Sequence, residues 1–247
     1  IRLISASPSA STVTSPSAVT MTLSSRAART EPETTATTAE PSTVTFPLPP
    51  IPAAPRTDGE RRATLEDDKA TLPIYLSGYT LPPEGHEDLP ALELLGRILL
   101  TGESSRLNER LVRQERAALQ VAGGAGAGMG PGALNVYAVP NQGVEVDRIE
   151  ALIQEELDRV LEEGVTEREL EKARNQTRAS MIMGRQSVSS KAGMLHGYRR
   201  QGDLSEINRA VDRYMAVTVA DIQRVARTYL TTENRTVVIA VPAAVSN

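Results

Sequence analysis

The sequence predicts an α+β domain of two layers, an antiparallel sheet covered by helices on one face. Three observations carry this. Two strand-like runs precede the first helix, a glycine-rich hairpin interrupts the helical part, and an apolar strand closes the chain after several helices.

Residues 1–55 are dominated by Ser, Thr, Ala and Pro, with Phe46 the one aromatic and five prolines between positions 45 and 55. Such a stretch buries too little apolar surface to offset roughly 1–2 kcal/mol of backbone entropy per ordered residue. It reads as a low-complexity linker or disordered arm ahead of a domain spanning residues 56–247. A chain that begins at Ile1 reads as a fragment, a processed product, or a piece that begins inside a longer reading frame.

Residues 61–66 and 72–79 read as strands, followed by a turn at Pro82-Pro83-Glu84-Gly85. Asp88 is expected to cap a helix whose Leu92, Leu95, Ile98 and Leu99 recur at helical spacing and which ends near Gly102. Ser104 or Ser105 is expected to cap the next helix, over about residues 106–116. Residues 119–128 and 133–139 then form two strands joined by Met129-Gly130-Pro131-Gly132, a hairpin pattern.

The helix expected over 144–163 carries Ile149, Leu152, Ile153, Leu157, Val160 and Leu161 on one face, and Gly164 stops it. Thr166-Glu167-Arg168-Glu169 has the form of a capping box and opens a long helical region, expected to break near Gly184 or Gly193 and to end near Gly202. Helices over 205–216 and 219–230 follow, the second capped by Thr218 with Asp221 three residues on. The apolar run 236–241 is the closing strand.

Five glycines fall within residues 123–130. A phosphate cradle needs backbone N–H groups gathered at a helix N-terminus. Gly128-x-Gly130-x-x-Ala133 is a degenerate match, but Pro131 and a strand occupy the place where that helix would begin. The plainer reading is that small residues let a helix lie close over the strand and that the last glycines serve a turn.

Composition and motifs exclude further classes. With 31 acidic and 27 basic residues and no basic stripe, the chain lacks the footprint of a nucleic-acid binder. The absence of cysteine removes disulfides, zinc ribbons and thiol nucleophiles. No apolar run approaches the ~20 residues of a membrane span. His86 and His196 are the only histidines and lie too far apart in sequence for an H-x-x-E-H zinc site, so both are assigned ordinary structural roles. Neither G-x-S-x-G nor a P-loop is present. Glu162-Glu163 and Glu169-Leu170-Glu171 are read as solvated helix faces. No catalytic residue and no metal ligand is assigned to this chain.

Several phrases in order speak more clearly. Pro52-Ala-Ala-Pro55 leads to Gly59-Glu-Arg-Arg62, Leu72-Pro73 precedes a strand, and His86-Glu-Asp88 precedes Ala91-Leu92. Gly102-Glu-Ser-Ser-Arg-Leu107 comes with Leu111-Val112, Gly164-Val-Thr166 with Glu169-Leu-Glu-Lys-Ala173, and Val217-Thr-Val-Ala-Asp221 with Val225-Ala226 and Tyr229-Leu230. Over about residues 50–242 this resembles the second, zinc-free domain of the insulinase or pitrilysin family of zinc peptidases, in its bacterial group similar to mitochondrial processing peptidase.

The resemblance implies an α+β half that faces a similar half around a closed chamber. The other half carries H-x-x-E-H and the zinc, on the same or a separate chain, and this half encloses and grips an unfolded peptide. It implies no cofactor in this chain, and the bacterial periplasm or the cytoplasm as compartments. Several members use an arginine and a tyrosine seven positions apart to hold substrate, and here Val112 and Leu119 stand in those places, with Arg113 and Arg116 as the candidate substitutes. The alternative is a degenerate scaffold subunit with no peptidase role.

Overall fold

The computed structural model describes residues 18–22, 43–47, 59–128, 130–201 and 204–243. The chain divides into two units, residues 1–51 and 52–247. In the first unit, β1 (Ala18–Thr22) and β2 (Thr43–Pro47) form an antiparallel pair within the stretch expected as an arm. The second unit holds a five-stranded sheet and the helices that cover it.

Its sheet contains β3 (Arg61–Asp67), β4 (Ile74–Leu81), β5 (Ala118–Gly126), β6 (Gly132–Pro140) and β7 (Arg235–Pro242), in the order β3-β7-β4-β6-β5. Every pairing is antiparallel except β3 with β7, which is parallel. The exception has a topological cause. The last strand inserts between β3 and β4, and a strand placed antiparallel to β4 must run parallel to β3.

The helices are α1 (Leu89–Leu100), the short α2 (Arg106–Asn108), α3 (Val146–Glu163), α4 (Glu167–Gly184), α5 (Val188–Gln201), α6 (Glu206–Ala216) and α7 (Val219–Tyr229). Inward-facing Tyr75, Tyr79, Leu134, Val136, Val237 and Ile239 of the sheet pack with Leu92, Leu95 and Leu99 of α1, Ile149, Ile153 and Leu157 of α3, and Ile222 and Val225 of α7 in one core. At roughly 1.5–3 kcal/mol for each fully buried large apolar side chain, this core supplies most of the favourable folding free energy. α1 lies at its centre, with only Glu93 and Arg97 less than fully buried. Among the described residues no helix is long and apolar enough to cross a membrane.

The glycine-rich segment is a strand whose partner β6 begins at Gly132, so no helix follows it. A Cβ on Gly96 of α1 would lie 2.7 Å from the Ala125 backbone nitrogen, and one on Gly123 would overlap the Asn135 carbonyl oxygen and meet Leu100 at 3.2 Å. Small residues do bring helix and strand together, as their spacing suggests.

The capping boxes at Thr166/Glu169 and Thr218/Asp221 are both formed, and the long helical region breaks after Gly184. The other two caps need correcting. Asp88 and Ser105 occupy the cap positions but make no side-chain cap bond. Asp88 instead accepts from the Tyr229 hydroxyl at 2.9 Å and pairs with Arg224 at 2.7 Å, and Ser105 Oγ donates to the Gly102 carbonyl at 2.7 Å. Burial alone would lift the Asp88 carboxyl, but the Arg224 and Tyr229 contacts outweigh it and hold the group below the ordinary aspartate value.

Candidate functional site

The sheet ends at β5, whose outer side pairs with no strand among the described residues. The stretch leading into this edge is where the backbone departs most from regular geometry. The helix expected over 106–116 is a short α-turn that passes into a π-helical turn over Glu109–Gln114, a form often found at functional positions. Arg116 then adopts φ +50°, the one left-handed non-glycine among the described residues.

These turns are held by specific contacts. Arg106 donates to both Glu169 carboxylate oxygens at 2.7 and 2.9 Å and to the Gly164 carbonyl at 3.2 Å. It thereby ties the start of the turn to the α3–α4 junction. The same guanidinium, with help from the Thr166 cap, lowers the Glu169 carboxyl to about 2. Leu107 and Leu111 are fully buried below the turn, Ala117 N–H donates to the Leu111 carbonyl at 2.8 Å, and Asn141 Nδ2 donates to the Arg116 carbonyl at 3.1 Å. Glu169 is thus not part of a solvated face, although Glu162, Glu163 and Glu171 are exposed as expected. The correction follows from an arginine 63 residues away in sequence.

Leu119 occupies a β-bulge. Ala118 registers with Pro140 and Gln120 with Val139, leaving Leu119 unpaired and 54% exposed. Bulges re-aim a side chain at a sheet edge, and here the residue aimed outward is apolar. Val112, on the π-turn, is half-buried and packs against the core. Arg113 bonds to Glu103 at 2.7 Å and lies 3.7 Å from Glu109, while Arg116 is exposed and forms no ion pair among the described residues. The structure therefore brings Leu119 to the sheet edge and leaves Val112 in the packing beneath it.

The sheet face away from the core helices adds an apolar surface. Register places Ala63, Val238, Leu76, Tyr137 and Ala122 side by side in one row across all five strands. Leu76 in that row is 39% exposed. At Gly124 and Gly126 an added Cβ would meet nothing within 4 Å, so the end of the edge strand is open.

His86 is exposed and accepts from the Asp88 N–H through Nδ1 at 3.1 Å, and His196 lies exposed on α5. No group of three or more His, Asp or Glu that could hold a metal ion occurs among the described residues. Sequence reasoning passed over Glu93, whose signal is simple: it is the one acid on a helix apolar on nearly every side.

Comparison with known proteins agrees with this architecture. The family described as the peptidase M16 inactive domain matches residues 32–177. The chain is 28% identical over 188 residues to the zinc protease PqqE of Helicobacter pylori, covering 76% of this chain and 42% of that protein. It is 29% identical over 184 residues to a zinc protease of Mycobacterium tuberculosis, covering 73% and 41%. Among solved structures, a protease from Helicobacter pylori superposes with a TM-score of 0.75 at 27% identity, over 80% of this chain and 47% of that one. The inactive peptidase domain of a Bordetella parapertussis protein superposes with a TM-score of 0.65 at 24% identity, over 74% of this chain and 97% of that one. This chain spans less than half the length of the curated relatives it matches.

Proposed function

Because the chain belongs to the peptidase M16 inactive-domain family, we propose that it is the non-catalytic half of a zinc metallopeptidase. In this reading the zinc and its H-x-x-E-H ligands belong to a catalytic half on the same or another chain. That half polarises a bound water and cleaves the peptide. This half closes over an unfolded peptide, offers the β5 edge to its backbone, and shelters it from solvent.

The observation that carries the reading is the match of residues 32–177 to the inactive-domain family, together with similarity to proteins named zinc proteases. The test is to produce the H-x-x-E-H half with and without this chain, and to measure cleavage of a quenched unfolded peptide together with bound zinc. Cleavage is expected to vanish without this chain while zinc stays bound. Undiminished cleavage by the zinc half alone would sink the proposal.

One observation favours a second reading. Val112 and Leu119 replace the arginine and tyrosine that the sequence resemblance leads one to expect, as in a scaffold subunit that has lost its grip on substrate. A partner half with its own zinc ligands missing would select the scaffold.

A further inference from the structure

We propose that the cleft between the start of α1 and α6 is a subsite for one basic side chain, an alkylammonium or alkylguanidinium group that lies against the Glu93 carboxylate. The cleft measures about 130 Å³, and its lining includes Leu89, Pro90 and Glu93 of α1, Tyr198 of α5, and Arg213 and Tyr214 of α6. Drug-sized ligands take roughly 300–1,000 Å³. This volume suits a single side chain, with apolar walls for its stem and two phenol rings beside the place for a cation.

The carboxylate in the cleft lacks a partner of the kind its counterparts have. Five other acids that are buried or half-buried each have an arginine: Arg235 on Glu60, Arg224 on Asp88, Arg62 on Glu150, and Arg106 on both Glu156 and Glu169. Glu93 forms no ion pair among the described residues. Its Oε2 instead accepts from the neutral Tyr214 hydroxyl. A desolvated carboxylate that faces a cleft and forms no ion pair there, although Arg97 and Arg213 stand nearby, still has room for a cationic ligand.

Charged and titratable groups reach this position from every side. Glu84 and His86 come from the β4–α1 loop, Arg97 from the next turn of α1, Tyr198 from α5, and Arg213 and Tyr214 from α6. Arg213 directs Nη2 to the His86 carbonyl at 3.4 Å. Burial raises the Glu93 carboxyl above the ordinary glutamate value, the Tyr214 hydroxyl and the Arg97 charge oppose this, and the Glu84 charge adds to it. Binding of a cation therefore weakens as acid protonates Glu93.

Peptide as the source of the basic group rests on the peptidase reading, but the cleft itself does not. The test uses the 247-residue chain without a catalytic half, titrated calorimetrically with Nα-acetyl-arginine amide, Nα-acetyl-lysine amide and the uncharged Nα-acetyl-norleucine amide. The basic amides are expected to bind saturably and at least tenfold more tightly than norleucine amide. Glu93→Gln, which keeps an acceptor for Tyr214, is expected to remove that preference, and Tyr214→Phe to retain it. Equal binding of all three amides, no saturable binding to the folded wild type, or a preference that survives Glu93→Gln would each overturn the proposal. Since the wild-type comparison alone decides, a poorly folding variant does not protect it. Failure here leaves the peptidase reading standing, and loss of peptide cleavage does not bear on the amide titration.

Discussion

Gly96 on α1 and Ala125 on β5 touch backbone to backbone, so that a Cβ on Gly96 would stand 2.7 Å from the Ala125 nitrogen and 3.0 Å from its Cβ. A helix meets a strand this closely only where one of them has no side chain. The contact sets how deeply α1 sits over the edge strand.

Gly96→Ala is therefore expected to destabilise the domain. Overpacking costs about 1–3 kcal/mol, and the better helix propensity of alanine returns about 1 kcal/mol. A net loss of up to about 2 kcal/mol lowers the melting temperature by up to several degrees in a domain of this size. Gly126→Ala is the control, because its added Cβ meets nothing within 4 Å. Equal melting temperatures for the two variants would show that α1 has room to withdraw from β5.

The bidentate contact of Arg106 with Glu169 gives a second expectation, in pH. The Glu169 carboxyl falls from the ordinary 4.5 to about 2, first through Arg106 and then through the Thr166 cap. A depressed carboxylate stabilises the fold above its unfolded pKa, and that contribution is lost as pH falls from 4.5 through about 2. The side chain is 29% exposed, so screening holds the contribution to about 1–2 kcal/mol. Glu169→Gln keeps a residue able to close the capping box but should lose this stability at pH 7 and melt nearly as the wild type does at pH 2. Denaturant unfolding at both values measures it, and a gap between variant and wild type that persists at pH 2 contradicts the assignment.

What could be read from the sequence and what could not divide along the range of the interactions. Thr166 with Glu169 and Thr218 with Asp221 close over three residues, and both boxes form. Asp88 and Ser105 have the same local chemistry, yet Asp88 is engaged by Arg224 and Tyr229 from α7, which no local pattern reveals. The parallel β3–β7 pair arises for a similar reason, since a strand from the end of the chain inserts between two strands near its start. At the candidate site, the strand that carries Leu119 was legible, but the π-turn, the left-handed Arg116 and the bulge at Leu119 were not. These are adjustments of backbone to a packed neighbour, held by Leu107, Leu111 and Asn141.

The bulge separates positions 112 and 119, where the sequence resemblance leads one to expect an arginine and a tyrosine. Leu119 faces outward, so Leu119→Tyr should leave stability within about 0.5 kcal/mol of wild type. Val112 packs against the core, so Val112→Arg should cost about 1–3 kcal/mol through lost packing and a desolvated charge. If the β5 edge holds peptide, Leu119→Tyr in the complex with its catalytic half should lower KM with kcat unchanged. An unaltered KM would place the peptide elsewhere.

Glu93 supplies the last expectation, with the opposite sign to Glu169. Burial, partly opposed by the Tyr214 hydroxyl and the Arg97 charge, raises its carboxyl above the unfolded value of 4.5. Between those two values the folded state binds more protons than the unfolded one, so stability falls as pH rises through the window. The favourable contribution is complete below pH 4.5 and gone above the raised folded value. Glu93→Gln has no such dependence and still accepts from Tyr214. The melting temperature of the variant relative to wild type should therefore climb between pH 4 and pH 7, and subtracting the two curves isolates this group from every other titration they share. A flat difference would mean that Glu93 is solvated in both states, and the cleft would then lack the desolvated carboxylate on which its preference for a cation depends.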